Sequence, residues 1–120
     1  MSTPPAAVAS QPQDKISTVS SGTFRSVPGE RAAGSVNIIK VDNRNYVRFD
    51  VDTDIGASLD PIITFGNDNR ADLSINLGSL KGTKGSRNYE IPDSVHPNKY
   101  LQVLIHCRAF DVPIGYADLR

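Results

Sequence analysis

Cys107 and His106 stand side by side in YLQVLIHCRAFDVPIGYADL, Tyr100 to Leu119. They are the only cysteine and one of the two histidines of a 120-residue chain. A thiolate can ligate a metal or haem iron, or pass through sulfenic and disulfide states. A thiol can equally fill a core as a small hydrophobe. An imidazole next to it invites a nucleophile–base reading, which needs the two groups within about 3 Å. The alternation of the stretch argues against that. Leu101, Val103, Ile105, Cys107 and Ala109 fall on one face of a strand, and Gln102, Leu104, His106, Arg108 and Phe110 on the other. The first set is small or aliphatic and belongs to the core. Cys107 is therefore expected inside and His106 on the outer face, so the neighbours point apart. Arg108 also points away from the sulfur, and any activation of the thiol must come from elsewhere.

Two further constellations could do chemistry. His96 and His106 would need a carboxylate or the thiol to complete a transition-metal site, and a surface histidine is ordinarily unliganded. In FDVDTDIG, Asp50, Asp52 and Asp54 are expected on one strand face, with Asn67, Asp68 and Asn69 in a later turn. Carboxylates at that spacing can gather calcium, although Gly56 stands one position late for an EF-hand loop. The competing reading is a solvated acidic face. GSLKGTKGSRN mixes glycines with Lys81, Lys84 and Arg87 but lacks the context of a phosphate-binding loop. The one methionine is Met1, so haem ligation by methionine and histidine is excluded. No acid, base and nucleophile meet, and a stand-alone enzyme is not expected.

The elements that must position these residues are strands. β-branched and aromatic segments recur about every 10 residues, punctuated by Gly, Asn, Asp and Pro. They are GTFRSV (22–27), SVNIIKV (35–41), YVRFDV (46–51), PIITFG (61–66), ADLSINLG (71–78), a short strand near Tyr89, a long one at 99–109 and a last one at 112–119. DNRN and NDNR suit tight hairpin turns. No stretch carries the spacing of an amphipathic helix. The expected fold is all-β: a single antiparallel β-sandwich of about eight strands over residues 22–120, behind a disordered N-terminal tail at 1–21. MSTPPAAVASQPQ supplies too little apolar surface to fold and reads as a polar tether. Its start, with no charged head or apolar stretch of a signal peptide, suggests a mature fragment. Thirteen basic and thirteen acidic residues cancel, so nothing global steers the chain to nucleic acid. No window is apolar enough to span a bilayer, so this chain is not expected to insert into a membrane. One cysteine excludes an internal disulfide and a multi-cysteine zinc site.

LGSLKGTKGSRNYEIP followed by YLQVLIHCRAFDVPIGYADL resembles the C-terminal half of the DM-thirteen domain, an electron-transfer family. The matching positions are Leu77, Gly78, Leu80, Lys81, Gly85, Tyr89 and Pro92. They continue with Tyr100, Val103, Ile105, Cys107, Phe110, Val112, Gly115, Ala117 and Leu119. Gly22, Phe24, Gly34 and Val36 resemble its opening. Three positions depart: His106 stands for the family's tryptophan, Ile114 for its phenylalanine, and SLDPII keeps only Asp60 of its G-P-D-L segment. The resemblance implies a β-sandwich that accompanies haem-binding and membrane cytochrome modules, extracytoplasmic, with Cys107 as redox group or haem or metal ligand and His106 beside it. It also implies a redox partner protein or a membrane cytochrome-type module. The alternative function is a non-catalytic binding or adhesion sandwich, holding calcium through Asp50, Asp52, Asp54 and Asp68, with Cys107 only packing the core.

Overall fold

The computed structural model describes residues 16–120. Its strands are β1 (Ile16–Ser26), β2 (Ala32–Ala33), β3 (Ser35–Val41), β4 (Arg44–Phe49), β5 (Asp54–Ile55), β6 (Pro61–Asn67), β7 (Arg70–Ala71), β8 (Arg87–Ile91), β9 (Gln102–Cys107) and β10 (Val112–Asp118). A 3-10 turn at Pro97–Lys99 interrupts them. The all-β antiparallel expectation holds. Eight strands form one sheet in the order β7-β6-β9-β10-β1-β3-β4-β8, and β2 pairs with β5 beside it.

The two layers of the sandwich are halves of that one curled sheet, and β1 carries the chain from one half to the other. Ile16 to Thr23 pair with β3, whereas Phe24 to Ser26 pair with β10. Phe24, Val36, Ile38, Val47, Phe49 and Tyr89 from one half meet Ile63, Phe65, Val103, Ile105, Cys107 and Ile114 from the other in a single core. Burial of aliphatic and aromatic faces like these is the main drive to fold.

Turn chemistry sets the register. Asp68 and Asn69 both adopt left-handed φ, 54° and 62°, between the paired residues Asn67 and Arg70. That is the backbone of a two-residue hairpin turn, and Asp and Asn are among the few residues that tolerate it. Near the start of β10 the register shifts between Pro113 and Gly115, and Ile114 is directed into the core. Gly115 is required where it stands, because a Cβ there would meet Cβ of Ala32 at 2.4 Å.

Two expectations need correction. ADLSINLG is strand only at its first residue. Asp72 accepts from the backbone and hydroxyl of Ser74, and Asn76 accepts from the Gly78 amide, so local side-chain bonds outcompete a ladder. The segment still runs along β6, with Leu77 donating to Ile63 and Ile63 to Gly78. Part of the tether expected over residues 1–21 is strand, since Ile16–Ser21 pair with β3; residues 1–15 lie outside the described residues.

Candidate functional site

Cys107 ends β9 on the core face, between Pro61 of β6 and Val112 of β10. It is 3% exposed, and its Sγ donates to the carbonyl oxygen of Leu59 at 3.0 Å. Cys107 lines a groove of ≈ 390 Å³ with Glu30, Ala57, Ser58, Leu59, Phe110 and Val112. Leu59 and Phe110 stand 60% and 66% exposed on its rim. Arg108 reaches away from the thiol to Asp60. Its Nε and Nη2 donate to the two carboxylate oxygens at 2.7 and 3.0 Å, a bidentate fork. Those bonds from Arg108 hold the Asp60 carboxyl below the usual carboxylate range.

His106 departs from the expectation of an exposed outer face. It is 5% exposed, because its cross-strand neighbours on that face are Ile62 and Pro113 and β9 is buried along its whole length. Its Nε2 donates to Asp111 Oδ1 at 3.0 Å. A carboxylate oxygen accepts, so the other ring nitrogen, Nδ1, is left as a buried acceptor without a partner among the described residues. His106 and Cys107 point to opposite faces and form no pair. His96 is exposed at the start of the 3-10 turn.

The acidic residues do not share a strand face. β4 ends at Phe49, and Thr53 donates its amide and hydroxyl back to the Asp50 carbonyl, turning the chain between them. Asp50 accepts from Asn37 Nδ2 at 2.8 Å. Asp52 accepts from the Ser35 amide and hydroxyl, both at 2.9 Å, and these bonds lower its pKa. Asp54 faces Arg31 at 3.3 Å, and Asp68 lies apart in the β6–β7 turn. Among the described residues no group of three or more His, Cys, Asp or Glu is placed to hold a metal ion. A larger open groove of ≈ 690 Å³ is lined by Arg25, Asn37, Asp50 and Asp118. Within it Arg25 is paired with Asp118 and Asn37 with Asp50.

With this geometry in place, comparison with known proteins is informative. The family described as electron transfer DM13 matches residues 23–119. The chain belongs to that family. No curated protein and no solved structure matches it. The DM13 match spans every strand that builds the groove around Cys107, from Phe24 to β10.

Haem, which the resemblance implies, does not fit this DM13 site. Thiolate ligation needs an open sulfur with space above it. Here the residue is nearly enclosed, its thiol hydrogen is engaged by Leu59, and among the described residues no histidine or methionine lines the groove. Sequence reasoning missed the Asp60–Arg108 fork. The signal for it was Asp60, the one residue kept from the family's G-P-D-L segment. Among the described residues no helix is long and apolar enough to cross a membrane.

Proposed function

We propose that this DM13 domain is an extracytoplasmic electron-transfer accessory module whose Cys107 thiol exchanges electrons with a redox partner protein. The observation that carries the reading is that the lone thiol, though buried in the core, also lies on the wall of an apolar-rimmed groove. Leu59, Phe110 and Val112, all exposed, form a surface on which a partner can seat. The family match supports an accessory role over a stand-alone catalyst. The extracytoplasmic setting rests on what the sequence resemblance implies.

With one cysteine in the chain, the exchange runs through a partner's disulfide. Cys107 Sγ attacks one partner sulfur, and a new S–S bond forms as the partner's S–S bond breaks. The departing sulfur takes the electron pair of the broken bond and the proton that the thiol gave up. Cys107 is oxidised to the disulfide level while that sulfur is reduced. A thiol of a second, dithiol protein then attacks Cys107 Sγ and releases the first partner with both sulfurs reduced. That protein's other thiol attacks the new mixed disulfide, closes its own disulfide and frees Cys107 as the thiol, so two electrons pass from one partner to the other.

The test uses dithiodipyridine, a neutral aromatic disulfide whose leaving group is coloured. The native protein should release one equivalent of thiopyridone per chain, and Cys107→Ser should release none. Release that begins only in denaturant would show the thiol to be a packing residue and end the redox reading.

A further inference from the structure

The register of β6 against β9 sets Pro61 opposite Cys107. One step beyond that pair, the Arg108 amide donates to the Asp60 carbonyl at 3.1 Å, prolonging the ladder by a single bond. The side chains of the same two residues then close the bidentate fork. The residue before Asp60 supplies the carbonyl that takes the thiol hydrogen, and two residues after Arg108 comes Phe110 on the groove's rim. Two loops, 56–60 and 108–111, are thus fastened to each other directly beside the sulfur.

We propose that the Asp60–Arg108 fork is a latch that sets access to the Cys107 thiol: when it releases, Leu59 and Phe110 part and a partner's sulfur can reach Sγ. The inference rests on the reading of Cys107 as the exchanging group. Asp60 and Arg108 touch no reacting atom and act as positioning residues. Three features suit a latch over a permanent clamp. The side chains are 40% and 53% exposed, so the pair is screened by salt and held weakly enough to open thermally. Asp60 is held at a left-handed φ of 52° immediately before a proline, where extended backbone is preferred, so release lets the loop relax. The far end of the second loop is tied separately, by Asp111 to the buried His106, so opening at Arg108 does not unravel the hairpin.

The experiment is the rate of the native thiol's reaction with dithiodipyridine in the full chain, in the wild type, Asp60→Asn, Arg108→Gln and the double variant. Asparagine tolerates left-handed φ as aspartate does, so Asp60→Asn adds no backbone strain of its own. Arg108→Gln provides a second break of the fork should the first perturb folding. Each variant is expected to react about two- to fivefold faster, the range a half-exposed ion pair can hold back. The double variant should be no faster than either single one, because both remove the same contact. High salt should accelerate the wild type alone. In low urea the gain should be independent of denaturant, as for local opening. Variants that react at the wild-type rate, or a gain that tracks global unfolding across urea, overturn the latch. The two readings fail separately. Faster labelling in the variants, with a redox partner that still exchanges electrons with Cys107→Ser protein, leaves the latch and removes the redox role. Cys107-dependent exchange at unchanged labelling rates does the reverse.

Discussion

Tyr89 offers the sharpest test of how the glycine-rich loop is fastened to the core. The residue is wholly buried, its ring packs against Phe49 with centroids 5.1 Å apart, and its hydroxyl accepts from the Lys81 amide at 2.9 Å. Tyr89→Phe removes that acceptor and keeps the ring. A net hydrogen bond contributes about 1 kcal/mol, and Lys81 is exposed, so its amide can turn to water and the loss should not exceed that figure. For a domain of about 100 residues, 1 kcal/mol corresponds to a fall in Tm of about 4–8 °C. Tyr89→Ala also removes the ring and should cost about 3–5 kcal/mol, a large share of the stability of an ordinary domain. A second readout separates the hydroxyl from the ring. Burial raises the Tyr89 pKa above 10.0, so the phenol stays neutral in the folded state after unfolded tyrosines have ionised. Its contribution to stability is therefore fully present below pH 10.0 and declines as pH rises beyond it. Thermal melts and ultraviolet titration of both proteins measure the two effects. A Tyr89→Phe protein that melts at or above the wild-type temperature, with an unchanged alkaline limb, would refute the argument.

Acid should loosen the surface network in a definite direction. Asp52 through Ser35, Asp60 through Arg108, Asp72 through the Ser74 hydroxyl and Tyr100, and Asp118 through Gln102 and Arg25 all have folded pKa values below 3.8. Each contributes stability that is present above pH 3.8 and lost as pH falls through its lower folded value, so Tm should hold down to about pH 4 and then drop. Asp111 should show a different balance in urea unfolding. It sits at a left-handed φ of 54° and accepts from the buried His106. Asp111→Ala loses the bond and keeps the backbone strain, for about 1–2 kcal/mol of destabilisation. Asp111→Gly loses the bond but accommodates the backbone, and should be milder.

The legible part of the sequence was what repeats along a strand. The alternation from Leu101 to Ala109 put Val103, Ile105 and Cys107 on the core face, where they lie. DNRN and NDNR were read as turns from the backbone tolerance of Asp and Asn, and Asp42, Asp68 and Asn69 hold positive φ there. What escaped depends on neighbours in space. His106 alternates correctly away from Cys107, but only the position of β9 inside the sheet, with Ile62 and Pro113 alongside, makes its face a buried one. The acidic run looked like a strand because FDVDTDIG alternates. The turn is made by the hydroxyl and amide of Thr53, a bond that no periodicity announces.

The candidate site shows the same division. A lone cysteine on a core face carries no sign of whether solvent can reach it, since accessibility belongs to the loops at the strand's end. Here the β6–β9 register brings residues 47 apart in sequence, Asp60 and Cys107, to adjacent rungs of one ladder. The residue after the cysteine is an arginine and the residue before the proline is an aspartate, so one more rung places opposite charges face to face. A shift of that register by one residue would turn Cys107 to the other face and separate the charges together. Access to the thiol and the pairing of its guards are thus consequences of a single strand alignment. A chain that kept the cysteine but lost that alignment would keep a packed core without the groove beside its sulfur.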